Sequence, residues 1–101
     1  MANFIVLDKN GHPLTTDITL HPGEVLAMEI EARGIKKSDF AAQLKIKPSQ
    51  LSELLHQKRH VGAQMALRLE ALLNIPADFW MRVQSAYDLA VERQKMKASA
   101  A

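Results

Sequence analysis

The chain has no cysteine among its 101 residues. That excludes a disulfide scaffold and thiolate metal sites, and it fits a reducing cytosol. No apolar run approaches the roughly 18 to 20 residues needed to span a bilayer, so no membrane role is expected. The opening MANFIVLDKNG lacks the basic start and long apolar stretch of a secretory signal. Glycine is scarce, at four residues, and none builds a phosphate-cradling loop. HExxH and an ordered Ser-His-Asp set are missing as well. Glu29 and Glu31 are two apart, so they point to different sides of a helix and cannot act as an acid/base pair. His56 and His60 are four apart but have no third ligand nearby, and His12 and His21 have no ligand pattern around them. No cofactor, no metal and no catalytic residue is expected.

What is present is a chain that is 48% apolar, enough for one core in one domain. A domain this small is marginal and gains from dimerisation. The formal charge is only +2, from 13 Lys+Arg against 11 Asp+Glu. Its distribution is uneven. Lys36 to His60 holds six basic residues (Lys36, Lys37, Lys45, Lys47, Lys58, Arg59) against Asp39 and Glu53, so +4; the remainder carries seven basic and nine acidic, so −2.

The same stretch carries the strongest pattern. Phe40, Ala41 and Leu44 fall on one face of a first short helix, and Leu51, Leu54 and Leu55 on one face of a second. Ile46 lies in a link too short for anything but a sharp turn. Pro48 cannot continue a helix but suits the first turn of a new one. The pattern predicts a helix-turn-helix over residues 37–56. Its second helix turns Lys47, Ser49, Gln50, Ser52, Glu53 and Gln57 away from the core, side chains of the type that reach base edges. Lysine and arginine around it would neutralise phosphate.

The rest of the chain supplies the scaffold. Phe4 to Leu7, then Asn10-Gly11, then Leu14 to Leu20 predict a short hairpin or an extended arm over residues 1–20. A first helix starts at His21-Pro22-Gly23-Glu24, with Val25, Leu26, Met28 and Ile30 as its buried side, and stops at Gly34. A fourth follows Gly62, with Met65, Ala66, Leu69, Leu72 and Leu73 inward, and ends at Asn74-Ile75-Pro76. A long last helix runs from about Ala77 into the nineties. Phe79, Trp80, Val83, Ala86, Tyr87, Ala90 and Val91 recur along it at steps of three and four. The domain is expected over 21–95, with a disordered tail at 96–101.

HPGEVL at His21 to Leu26, the motif, ALRLEALLNIPADFW at Ala66 to Trp80 and QSAYDL at Gln84 to Leu89 together resemble the HigA family of bacterial antitoxins, within the Xre/Cro-like helix-turn-helix repressors. The resemblance covers about residues 21 to 92. It implies an all-α, five-helix, lambda-repressor-like DNA-binding domain that dimerises on an inverted repeat in its own promoter. It also implies a partner toxin of the RelE/HigB-like class, a ribosome-dependent mRNA endonuclease, and so a cytoplasmic antitoxin and autorepressor. Matched position by position, Lys37 falls where such repressors touch phosphate. Pro48, Ser49, Gln50 and Glu53 fall on the exposed recognition-helix positions, and Gln57, Lys58 and Arg59 form the loop that meets the backbone again.

Three positions depart from the family pattern. Lys45 stands where the turn usually has glycine, and a positive φ there strains a non-glycine residue by about 1 kcal/mol. Lys36 and Lys47 stand at N-cap positions usually held by serine or threonine, losing about 1 kcal/mol each. Among the candidates for base readout, Gln50 is the best, because a carboxamide pairs bidentately with adenine. Glu53 either accepts from cytosine N4, or is a solvated helix position, or forms an ion pair with Lys45 or Lys47. Lys58 and Arg59 fit phosphate better than bases. Two other classes remain open: a stand-alone Xre-type repressor whose pocket near Trp80 senses a small ligand, and a protein-interaction module that keeps the motif only as scaffold.

Overall fold

The computed structural model describes residues 19–100, and in them the chain forms five helices and no strand. They are α1 (Pro22–Arg33), α2 (Lys37–Leu44), α3 (Pro48–Leu55), α4 (Ala63–Leu73) and α5 (Ala77–Ala100). The expectation of an all-α, five-helix domain holds for the described residues. The expected hairpin or arm lies almost wholly outside the described residues; Thr19 and Leu20 lead into α1 without regular structure.

Each helix begins and ends for a local reason. His21 caps α1: its Nδ1 accepts the Gly23 N–H at 2.9 Å, while the Glu24 carboxylate accepts the His21 N–H at 3.1 Å. This is a capping box with histidine in place of serine. Gly34 ends the helix at φ 64°, and the Ile35 N–H bonds back to the Ile30 carbonyl at 3.0 Å, the bond that defines a Schellman stop. The same stop closes α2 at Lys45, φ 61°, where the Ile46 N–H reaches the Ala41 carbonyl at 3.1 Å. Neither Lys36 nor Lys47 offers a side-chain acceptor, as their chemistry requires.

The core is one cluster drawn from all five helices and the loop before α4: Leu26 and Ile30 from α1, Phe40, Ala41 and Leu44 from α2, Leu51 and Leu54 from α3, Val61, Ala66, Leu69 and Leu73 around α4, and Trp80 from α5. Two side chains from outside the motif fasten it. Arg68 Nη1 on α4 donates to the Leu44 carbonyl at 3.0 Å, satisfying the last turn of α2. Gln84 on α5 is buried, and its Oε1 accepts the Val61 N–H at 2.7 Å. At the N-terminus of α1, Gly23 lies so close to α3 that an added Cβ would strike the Leu54 carbonyl oxygen.

The structure narrows the buried faces. Met28, expected inward at the margin of α1, is 52% exposed. Phe79 and Ala86 are exposed as well, because steps of three and four sweep a stripe wider than the one side of α5 that α1 and α4 cover. Trp80 is fully buried, and Tyr87 is half-buried with its ring edge-on to His21 at 4.7 Å. The last helix continues to Ala100, where a disordered tail was expected from 96. The segment ERQKMKASA has no glycine or proline and consists mostly of good helix formers, so nothing stops propagation from the preceding turns.

Candidate nucleic-acid interface

The motif stands on the surface with its polar side outward. Leu51 and Leu54 are buried, whereas Lys47, Pro48, Ser49, Ser52, Glu53 and His56 are exposed and Gln50 is half-buried. At 100° per residue, Ser49, Ser52, Glu53 and His56 lie on the line most directly opposite the core. Ser52 and His56 were therefore underweighted by sequence reasoning. The signal was present, since both fall opposite the Leu51-Leu54-Leu55 face. Lys37 at the start of α2 and Lys58 after α3 are exposed on either side. Among the described residues, neither Lys37, Lys47 nor Lys58 forms an ion pair.

Gln50 holds a position not foreseen for it. Its Oε1 accepts the Lys47 N–H at 2.9 Å. That is half of a capping box: it satisfies the N–H of Lys47 itself, not the first-turn N–H groups that a serine N-cap would accept from. The amide NH2 is free to face a groove, while the oxygen keeps one of its two lone pairs. A bidentate contact to adenine needs both ends of the carboxamide, so the oxygen would have to be shared between cap and base or leave the cap.

Glu53 does not pair with Lys45 or Lys47. Its Oε1 accepts from Arg59 Nε at 2.8 Å, with both side chains about half exposed. The loop makes the contact possible. Gln57 takes φ 66°, and its N–H and that of Lys58 bond to the carbonyls of Leu54 (3.1 Å) and Glu53 (2.8 Å). The chain thus doubles back, and Arg59 returns over the outer side of α3. His56 Nδ1 lies 2.8 Å from the Ser52 carbonyl at the end of the helix.

Behind the motif the buried Gln84 gathers two exposed side chains, His60 and Asp88. Gln84 Nε2 contacts His60 Nδ1 at 3.0 Å and Asp88 Oδ1 at 2.9 Å. With the Val61 bond, this ties the loop after α3 to α5. His21 lies in the same neighbourhood. Burial, followed by the nearby His60, lowers its pKa below the ordinary value, and Glu24 and Asp88 oppose the shift. A separate cavity of about 120 Å³ lies at the motif itself, between the start of α2 and α3, lined by Lys37, Ser38, Pro48, Leu51, Ser52, Leu55 and His56. Trp80 does not line it.

Two short helices at a sharp turn, the second open to solvent and fringed by lysine, define a helix-turn-helix protein of the Xre-like class. The helix-turn-helix family model matches residues 26–80, and the chain belongs to that family. Among curated relatives, virulence-associated protein I of Dichelobacter nodosus is 34% identical over 74% of this chain and 70% of its own length. Solved structures bring the likeness to the HigA antitoxins. The antitoxin HigA of Pseudomonas aeruginosa, solved with the higBA promoter, superposes with a TM-score of 0.75 at 30% identity, covering 82% of this chain and 91% of that one. A HigA-family addiction module antidote protein from Coxiella burnetii gives 0.73 at 29%, covering 80% and 89%.

Proposed function

We propose that this chain is an antitoxin of HigA type: a dimer that binds an inverted repeat in its own promoter and neutralises a toxin of the RelE/HigB-like class. The observation that carries the DNA half is the uncovered outer face of α3, flanked by lysines that make no ion pair with a described residue. The likeness to an antitoxin solved on promoter DNA supports both halves. In this reading Lys37, Lys47, Lys58 and the backbone near Pro48 meet phosphate. Ser49, Glu53 and the amide nitrogen of Gln50 face bases, and Gln57 shapes the loop that follows. Two copies related by a two-fold axis would present recognition helices about 34 Å apart, one turn of duplex.

The test has two arms. Mobility shift with the chain's own upstream DNA at low salt should give a complex whose affinity falls as salt rises. Lys58→Ala should lower that slope by about one. Co-expression with the adjacent reading frame should give a co-purifying pair and rescue growth. No shift at low salt removes the repressor reading. A shift without partner capture leaves a stand-alone Xre-type repressor.

A further inference from the structure

We propose that Arg59 reads a guanine in the major groove and that Glu53 acts as its positioning residue, so that the couple recognises one C·G pair as a unit. This rests on the operator-binding reading above. An arginine in the loop after a recognition helix ordinarily suggests a phosphate contact. Three features here point elsewhere.

The first is direction. The reversal at Gln57 and the two backbone bonds to Leu54 and Glu53 fix the path of the loop, and Arg59 Nε meets Glu53 at 2.8 Å. The side chain therefore lies along the outer side of α3, with Glu53, rather than out to the flank where Lys58 is exposed.

The second is what remains free. With Nε engaged, the guanidinium presents its two terminal amines end-on. That fork matches guanine O6 and N7, the commonest specific contact in the major groove.

The third is charge. A carboxylate beside a phosphate-bound arginine would repel that same phosphate. Beside a base pair it has a use. Cytosine presents its N4 amine in the major groove next to guanine O6. Glu53 Oε2, the oxygen not bonded to Arg59, can accept from it. Donor fork and acceptor stand side by side on the protein as acceptor and donor do on the C·G edge.

The experiment is binding-site selection from a randomised duplex library with the full chain and its variants. The wild type should enrich sites holding a fixed guanine in each half-site. Arg59→Lys keeps the charge and loses the planar fork. Preference at that one position should fall by about tenfold or more, with the salt slope on random DNA unchanged. Glu53→Gln still accepts from Nε but sets an amide NH2 against the cytosine amine, so it should keep Arg59 in place and weaken the preference only in part. Glu53→Ala should relax the same position even as it tightens binding to all DNA.

Retention of the guanine preference by Arg59→Ala overturns the proposal, because that variant has no donor for guanine O6 and N7. So does an Arg59→Ala variant that weakens every sequence equally and lowers the salt slope by about one, the mark of a phosphate contact. If Glu53→Ala relaxes a position that Arg59→Ala leaves alone, Glu53 reads on its own and the coupling is wrong. A wild-type chain that enriches no sequence is a separate result, and it counts against operator binding itself.

Discussion

Single atoms decide how closely α1 can approach α3. Gly23 has no Cβ, and the Leu54 carbonyl occupies the space one would need. That carbonyl is backbone, so it cannot rotate away. Gly23→Ala should cost about 1–3 kcal/mol as an overpacking change, read as a lower urea midpoint with an unaltered slope. Burial lowers the pKa of His21 beside it. Because its folded pKa lies below the ordinary value of about 6.5, the unfolded chain takes up the proton more readily. Its contribution to stability is complete above that value and is lost as pH falls through it toward the folded pKa. The unfolding temperature should therefore drop as pH falls through about 6.5 and below. His21→Asn retains a capping acceptor and removes the titration. It should lower stability at neutral pH and flatten the pH dependence; an unchanged slope would place the titration elsewhere.

Helix ends in the motif carry a deficit that other elements make good. Lys36 and Lys47 sit at N-caps without side-chain acceptors, and lysine charge also opposes the helix dipole. Lys36→Ser and Lys47→Ser should each stabilise the free protein by about 1 kcal/mol. If phosphate supplies the missing acceptor in the complex, both should also weaken operator binding and reduce its salt slope. Stabilisation with binding intact would show the lysines to be incidental. At the far end of the motif, Gln84 is the only described acceptor for the buried Val61 N–H. Gln84→Leu has similar bulk and no oxygen. It should cost about 1–3 kcal/mol for the orphaned donor, measured by thermal unfolding. Because that N–H belongs to the loop that carries Arg59, operator selectivity should fall along with stability.

The whole molecule is small and uneven in charge. The +4 segment from Lys36 to His60 lies on a body that is otherwise −2. Attraction to duplex should therefore be local to the motif and strongly salt-dependent. A single recognition helix spans only a few base pairs, so specific binding needs a second copy. Sedimentation at micromolar protein should show a dimer, or a monomer that pairs when a duplex with two half-sites is added. A protein that stays monomeric in both conditions would contradict the inverted-repeat reading.

Much of this was legible in the order of residues. The two apolar triads, Phe40-Ala41-Leu44 and Leu51-Leu54-Leu55, set two helix faces, and Pro48 set the restart between them. Those signals are local, because a helix face repeats every three to four residues and a proline acts on its own turn. The lysine at the αL turn was equally readable, since the family pattern marks that position for glycine. Contacts across the fold left no such trace. Arg68 on the Leu44 carbonyl, Gln84 on Val61 and Gly23 against Leu54 join residues 23 to 31 positions apart, and no spacing rule connects them. Gln50 and Glu53 were recognised as exposed polar residues, but which atoms stay free for DNA depended on where Lys47 N–H and Arg59 came to lie. Periodicity and turn chemistry act along the chain; the partner of a polar atom is set by packing, which brings distant segments together in space.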